Sequence, residues 1–441
     1  MTRLPKLLLV IAGLFLAWNT SHAQTFPYKV EQLGALPGEA DAIPFGINSR
    51  GDVVGGSGYY RAFLFTDGAG MVELFGPNGR PAATARRIND AGIIVGESWG
   101  GGMPHHAVRW SGGVSEDLGA INGTSRAWNI NNDGVIVGDT PVDALDTGAF
   151  VLTAEDGSSL IAPARMTSHA YDVSDAGVVT GAMTVGNYYH AYRFTPGGEI
   201  QDLGATEAYP HSFGKAINVS GQVAGTLTSA SGNAERVFRY TEGVGIVVLG
   251  GVGETNDVWG MNARGDIVGR GLPVSGVMRV AFIYTDAGGL QDLNLLIDPA
   301  LNLRMLYAHD INDAGQIVGL ATDITGGGWR AIRLTPTVAP TSIGDRTPAI
   351  PVRVFPIAPN PTGQSARFQY ELMQASAVRV DVYDVAGRLV RSLVDSSQEP
   401  NLYSVMWDGR NQAGSDVPSG LYFFRIQAGT FRDNVKLVIV R

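Results

Sequence analysis

The chain has 441 residues, 44% apolar and 17% charged, with 59 glycines, no cysteine and a formal net charge of −9 at pH 7. The apolar content excludes a disordered chain. The acidic balance excludes a basic stripe that would neutralise nucleic-acid phosphates, and the absence of cysteine excludes disulfides and thiolate metal sites.

The N-terminal stretch MTRLPKLLLVIAGLFLAWNTSHAQ sets Arg3 and Lys6 ahead of an apolar run from Leu7 to Ala17 and ends in the small-x-small step Ser21-His22-Ala23. This is the order of a secretory signal over residues 1–23, with cleavage expected after Ala23. The run is about half the ~20 residues that span a bilayer, and no later segment comes closer. No membrane span is therefore expected, and the mature chain is expected to be extracellular or on the outer cell surface.

From residue 25 a decapeptide recurs: GINSRGDVVGG from Gly46, RINDAGIIVGE from Arg87, NINNDGVIVGD from Asn129 and DINDAGQIVGL from Asp310. Seven copies align on Asn48, Asn89, Asn131, Ser174, Asn218, Asn262 and Asn312, spaced 41, 42, 43, 44, 44 and 50 residues apart. Periods of ~40–45 residues are typical of four-stranded propeller blades. In each copy Asn or Ser opens a turn and a Gly three residues on closes it, between β-branched residues, which predicts a β-hairpin. A second Gly (Gly55, Gly96, Gly138, Gly181, Gly225, Gly269, Gly319) ends the second strand, where a side chain would crowd a neighbour. A third strand follows, as in RAFLFT, HAYRFT and VAFIYT, and then a fourth ending in an Asp-Leu or Leu-Gly step.

The seventh unit has no fourth strand, while a lone strand of that type, YKVEQLG at 28–34, precedes the first unit. Joining the two closes a ring and leaves no long unpaired edge. Residues 25–336 are thus expected to form a seven-bladed β-propeller, all-β in class. An open solenoid would leave the N-terminal strand unexplained.

The tripeptides Arg61-Ala62-Phe63, Gly148-Ala149-Phe150, His190-Ala191-Tyr192 and Val280-Ala281-Phe282, each after its Ile-Asn-x-x-Gly hairpin, resemble the HAF repeats of probable extracellular proteins. The resemblance runs through all seven units. It implies secretion and carries no established activity.

Residues 337–351 are rich in Pro and Thr without hydrophobic periodicity and read as a linker. Residues 352–441 alternate apolar and polar in short runs between turn signals, which predicts a small β-sandwich with Val380, Val382, Trp407, Tyr422 and Phe424 in its core. The segments APNPTG, VYDVAGRLVRSL, WDGRNQAG and PSGLYFFRI resemble the immunoglobulin-like module of flagellar hook-capping proteins, which is similar to the C-terminal sorting domains of type IX secretion cargo. The resemblance implies secretion machinery as a partner if the module is an export address, and none if it is a terminal spacer.

Strand direction alternates within a blade, so the second connection and the blade-to-blade link share one face. These are the long, varied loops, and function on a rigid scaffold concentrates in such loops. That face is expected to carry Trp99, His105, His106, Tyr188, Tyr189, Tyr209, His211, Tyr307, His309 and Trp329. Aromatics with scattered His suit stacking on sugar rings, so the expected partner is an extracellular polymer, with glycan first in mind, or a surface protein. No metal or cofactor is expected: His105 and His106 are adjacent, no His-x-x-x-His exists, and each hairpin turn brings too few oxygens for calcium. Asp146-Thr147-Gly148 matches the aspartic-protease tripeptide without a second copy, and no P-loop is present.

Three residues before each anchor stand Phe45, Arg86, Trp128, Tyr171, Lys215, Trp259 and His309, on the innermost strands and hence near the axis. The ring holds no carboxylate, but Asp172, Asp257 and Asp310 lie within two residues of it. They are the candidates for the alternative reading, an extracellular polysaccharide lyase or glycosidase.

Overall fold

A computed structural model describes residues 26–338 and 352–441, apart from breaks at 101, 120–122, 144–145, 156, 163–165, 274–277, 325–326, 355–359, 364, 373–375, 386, 400 and 429–430. The expected secretory signal and most of the expected linker lie outside the described residues. The fold is all-β: seven four-stranded sheets in series form a seven-bladed propeller, and a β-sandwich follows. Among the described residues no helix is long and apolar enough to cross a membrane.

The chain enters as β1 (Tyr28–Gln32) and builds blade 1 from β2 (Ala42–Ile47), β3 (Val53–Ser57), β4 (Arg61–Thr66) and β5 (Gly70–Leu74). Blades 2 to 6 repeat this order as β6–β9 (82–117), β10–β13 (126–160), β14–β17 (168–204), β18–β21 (211–250) and β22–β25 (255–292). The seventh has β26–β28 (303–336), and β1 pairs antiparallel with the last of these, from Tyr28 opposite Pro336 to Gln32 opposite Ile332. Arg333 ties the seam with bonds of 2.6 Å to Glu31 and 2.5 Å to Asp67 of blade 1. The N-terminal strand thus completes the last blade, as the repeat arithmetic requires.

Middle strands are buried on both faces because each blade packs between two others, which is why Val53-Val54 and Ala62-Phe63 are adjacent apolar pairs with no exposure. The repeated Asn does more than open a turn. Its side-chain oxygen accepts the backbone N–H four residues on, and its side-chain nitrogen reaches the anchor carbonyl of the next blade. Asn89 Nδ2 donates to Asn131 O at 3.0 Å, Asn131 to Ser174 O at 3.0 Å, and Asn312 to Asn48 O at 2.9 Å across the closing seam. Asn48 and Asn262 make the same bond to Asn89 O and Asn312 O, both at 3.3 Å. Among the described residues the ladder stops at Ser174, whose hydroxyl is too short, and at Asn218, whose amide bonds Gln222 within its own hairpin and makes no bond to the next blade.

The second Gly of each repeat is fixed by close approach. A Cβ on Gly55 would lie 2.1 Å from Ile43 O and 2.7 Å from the Phe63 ring, and one on Gly225 2.0 Å from Phe213 O and 2.7 Å from Phe238. The residue before the buried Ala of the third strand is a pin to the fourth. His106 bonds Asp117 at 2.9 Å, His190 bonds Asp202 at 2.9 Å, and Arg61 bonds Glu73 at 2.5 Å. The Asp of the Asp-Leu-Gly step also caps the following Gly N–H.

In the C-terminal sandwich one sheet holds β29 (Val352–Val354), β30 (Ala366–Leu372) and β33 (Asn401–Trp407). The other orders β32 (Leu389–Gln398), β31 (Ser376–Asp384), β34 (Gly420–Ala428) and β35 (Phe431–Ile439). Phe368, Tyr370, Val380, Val382, Trp407, Tyr422 and Phe424 form its core, and all buried members of that core belong to residues 366–439.

Replacing Asn131 with Ala leaves the Val135 N–H and the Ser174 carbonyl without their partner. Denaturant unfolding should show a loss of about 1–3 kcal/mol, and Asn131→Ser, which keeps the turn but not the cross-blade bond, should fall between it and wild type.

Candidate functional site at the propeller axis

All seven innermost strands are bulged at the residue three before the anchor, so Phe45, Arg86, Trp128, Tyr171, Lys215, Trp259 and His309 are each the extra residue of a register shift. A bulge re-aims its side chain and strengthens the local twist. The result is a belt of five rings and two cations around the axis. Arg86 lies 5.3 Å from the Phe45 ring and 4.6 Å from Trp128, and the Lys215 ammonium sits 4.2 Å from the centre of Tyr171. His309 packs 4.4 Å from Trp259 and 5.3 Å from Phe45, which continues the belt across the closing seam.

Two residues nearer the long-loop face, the same strands present a second row: Arg126, His169, Phe213, Asp257 and Tyr307. His169 stacks on Tyr171 with ring planes 9° apart, and Tyr307 on His309 with planes 11° apart, the period-two contact of one strand face. The two rows make a funnel whose mouth is on the face of the long loops.

Glu97 anchors the side of the funnel formed by blades 2 and 3. Only 4% exposed, its carboxylate accepts Arg86 at 2.6 Å and His105 at 2.8 Å, with Arg126 at 3.2 Å. Burial alone would raise its pKa, but these three groups, Arg86 foremost, hold it below the usual carboxylate range. Trp99 stacks on His105 at 4.8 Å, and Tyr60 and the exposed Tyr59 extend the aromatic surface outward. Asp139 holds the next junction by accepting Trp128 Nε1 at 2.9 Å and bonding His169 at 3.1 Å.

A cleft of about 390 Å³ opens between blades 5 and 6, lined by Tyr171, Phe213, Lys215, Glu235, Asp257, Arg270 and their neighbours. Asp257 accepts Trp259 Nε1 at 2.8 Å and lies 3.5 Å from Arg270, while Arg270 faces the Trp259 and Tyr307 rings at 5.5 and 5.3 Å. Burial raises the pKa of Glu235, which accepts the Asn256 N–H at 2.8 Å. Lys215 makes no ion pair among the described residues; its ammonium rests against the Tyr171 and Phe213 rings. A cation held on aromatic faces in an open cleft is placed for an anionic or polyhydroxyl ligand.

The axial carboxylates divide. Asp172 accepts Ile217 N at 2.7 Å and Val173 N at 2.8 Å, and Asp310 accepts Ile47 N and Ile311 N at 3.0 Å, so each fastens its blade to the next. Both are half-buried, and desolvation raises the pKa of each, that of Asp172 to about 6. Arg87 closes the floor by reaching across the axis to Trp259 O at 3.1 Å, with Asp310 at 3.8 Å and Phe45 O as further partners. Of the three candidate acids, Asp257 alone faces the cleft.

The sequence-picked ligand residues separate in the same way. Trp99 and His105 belong to the Glu97 cluster, Tyr307 to the second row and His309 to the belt, and Tyr188, Tyr189 and His211 pack together beside Phe213. His309 is fully buried, and burial together with Arg87 and Arg270 pulls its pKa down to about 3, so it is neutral. His106 points away from His105 to its pin on Asp117. Tyr209 packs near Arg236, and Trp329, 49% exposed, starts an outer strand apart from the belt. Lys215 was read only as a ring position, and Arg126, His169, Phe213, Glu97 and Arg270 escape sequence reasoning. Period-two spacing on the innermost strands marks Arg126, His169 and Phe213. An expectation that the chain has no Gly-x-Ser-x-Gly is wrong, since Gly96 to Gly100 reads Gly-Glu-Ser-Trp-Gly, the spacing of a hydrolase nucleophile elbow. Ser98 sits within a strand, fully buried, with its hydroxyl unpartnered by any base.

Residues 360–430 match the FlgD Ig-like domain family. Among solved structures, the chain is similar to PorZ, an essential bacterial surface component of the type-IX secretion system of Porphyromonas gingivalis. Identity is 14% and the TM-score 0.37, over 90% of this chain and 59% of that one, so this chain spans less than two thirds of PorZ. It is similar to virginiamycin B lyase from Staphylococcus aureus at 13% identity and TM-score 0.45, over 70% of this chain and 99% of that one. It is also similar to a putative TolB from Agrobacterium tumefaciens at 10% identity and TM-score 0.36, over 68% and 90%. Comparison with curated proteins finds no match.

Because Glu97 titrates below its unfolded value, its contribution to stability is complete above about pH 4.5 and is lost as pH falls through the depressed value. Glu97→Gln should lower stability at pH 7 by less than the ~3–5 kcal/mol of a fully buried pair, since Arg86, His105 and Arg126 are partly exposed. The gap between the two proteins in thermal unfolding should narrow as pH drops below about 4.5.

Proposed function

We propose that this is an exported, non-catalytic propeller that binds an extracellular polymer, a glycan in the first instance, at the funnel mouth. The observation that carries this reading is the Lys215 ammonium, held on Tyr171 and Phe213 without an ion-pair partner at the edge of an open cleft. Rings at the mouth supply stacking faces for sugar rings, and Lys215, Arg270 and Arg279 supply donors for hydroxyl and carboxylate oxygens. Glycan-array binding by the mature protein should weaken at least tenfold in Lys215→Ala and in Tyr171→Ala, with unfolding midpoints near wild type. An array with no signal above background overturns the reading.

The competing reading, a lyase or glycosidase, rests on Asp257 and Glu235, the carboxylates that line the cleft. Loss of polymer turnover in Asp257→Asn with binding retained would favour it; absence of turnover in the wild type removes it.

The C-terminal sandwich is the export address in this proposal. Its FlgD Ig-like match and its self-contained core support a module that works as a unit. In a host with type IX machinery, a chain lacking residues 352–441 should remain in the periplasm as a folded propeller. A signal-bearing reporter fused to residues 340–441 should reach the surface. The opposite pair of locations makes the module a spacer.

A further inference from the structure

The outer face of the sandwich carries a polar cleft that the export reading does not use. On β31 the residues at 378, 380 and 382 face the core, and those at 379, 381 and 383 face outward. Asp381 breaks this pattern: it stands on the outward face and is only 3% exposed. It lies directly opposite Arg425 on β34, and Arg425 lies opposite Asn434 on β35, so three polar side chains form one row across the sheet.

The natural partner of Asp381 is turned away from it. Arg425 donates through Nε to Asn434 at 3.0 Å and lays its guanidinium 4.4 Å from the Tyr383 ring. One carboxylate oxygen of Asp381, Oδ2, takes Arg379 Nε at 2.7 Å and the Tyr383 hydroxyl at 3.3 Å. The other, Oδ1, is buried and accepts no hydrogen bond. A buried carboxylate oxygen without a donor is costly, and a cleft of about 450 Å³ bounded by Arg379, Asp381, Tyr383, Arg425, Gln427 and Asn434 adjoins it. The terminal nitrogens of Arg425 have no protein acceptor among the described residues.

We infer that this cleft is a second binding site and that its ligand is a saccharide presenting adjacent hydroxyl groups. The lining has no aliphatic side chain; it is built of planar amides, guanidiniums, a carboxylate and a phenol. One sugar hydroxyl donates to Asp381 Oδ1, and the next accepts from Arg425, so the neighbouring donor and acceptor roles of a diol match the two unmet demands of the row. Arg379 and Arg425, which flank Asp381 on this face, are exposed side chains.

The test uses the full mature chain carrying Lys215→Ala and Tyr171→Ala together, the two substitutions that weaken the funnel site of the preceding proposal, with the funnel's residual binding subtracted using the same chain carrying Asp381→Asn and Arg425→Ala as well. It is titrated with the methyl glycosides of glucose, galactose, mannose and glucuronic acid, read by saturation-transfer NMR and calorimetry. At least one glycoside should bind. Asp381→Asn, which keeps the shape but offers a donor where an acceptor is needed, should weaken it at least tenfold. Arg425→Ala, a change at an exposed position, should do the same with the unfolding profile of the parent. Absence of binding by all four glycosides, or binding that neither substitution alters, overturns the inference. Because only the sandwich substitutions differ between the chains compared, either result is independent of the propeller's ligand.

Discussion

The amide that runs from Asn312 to the carbonyl of Asn48 is the bond on which the ring depends. It joins the last blade to the first, and it is one rung of a ladder made by a single side chain in a single conformation. Each rung satisfies two demands, closure of a local hairpin and registration of a neighbouring blade. Both rely on a buried side chain with a donor and an acceptor in one plane, which Asn provides at that length. Selection for that geometry explains the repeated decapeptide without reference to chemistry. The second Gly and the pinned His follow from the same packing, the one by close approach of a carbonyl and a ring, the other by fixing the fourth strand to the third.

With the scaffold so determined, variation is confined to positions the ladder does not use. The bulged residue of each innermost strand is one: it is Phe, Arg, Trp, Tyr, Lys, Trp and His in turn around the axis. The residue after it is another, and there Asp172 and Asp310 hold backbone amides while Arg87 spans the floor. Adjacent residues thus do opposite work, the bulged one turned toward its neighbours in the belt and the next, at Asp172 and Asp310, locked into the ring. A carboxylate pair near the axis therefore does not by itself indicate catalysis; its partners decide.

The blade count, the four strands of each unit and the N-terminal strand in the last blade were legible because turn chemistry and repeat period are local signals. The belt was legible as a position, anchor minus three. Its composition as a funnel was not, since the contacts that define it join residues some forty apart, such as Lys215 with Tyr171 and Arg86 with Phe45. For the same reason the cluster at Glu97, which Arg86 and Arg126 join from neighbouring strands, leaves no linear signal. His106 looked like a surface ligand until its pin to Asp117 was visible. In the sandwich, alternation located the core, but the burial of Asp381 on the wrong face depends on cross-strand neighbours that no linear pattern records.

The gaps in the ladder have a mechanical meaning. From blade 6 through the seam to blade 4 the hairpin face is laced by amides, while the two junctions flanking blade 5 carry the exposed ion pairs Arg193–Glu242 and Arg239–Asp286. On its hairpin face the ring is built like a split washer, laced around most of its circumference and open on either side of one segment, where Asp172 to the Ile217 N–H and Thr226 to the Val258 N–H hold the blades from further in. The cleft of Lys215, Asp257 and Arg270 straddles that segment. A guest that spreads it works against those few bonds, side-chain packing and screened charges, and leaves the amide-laced arc undisturbed.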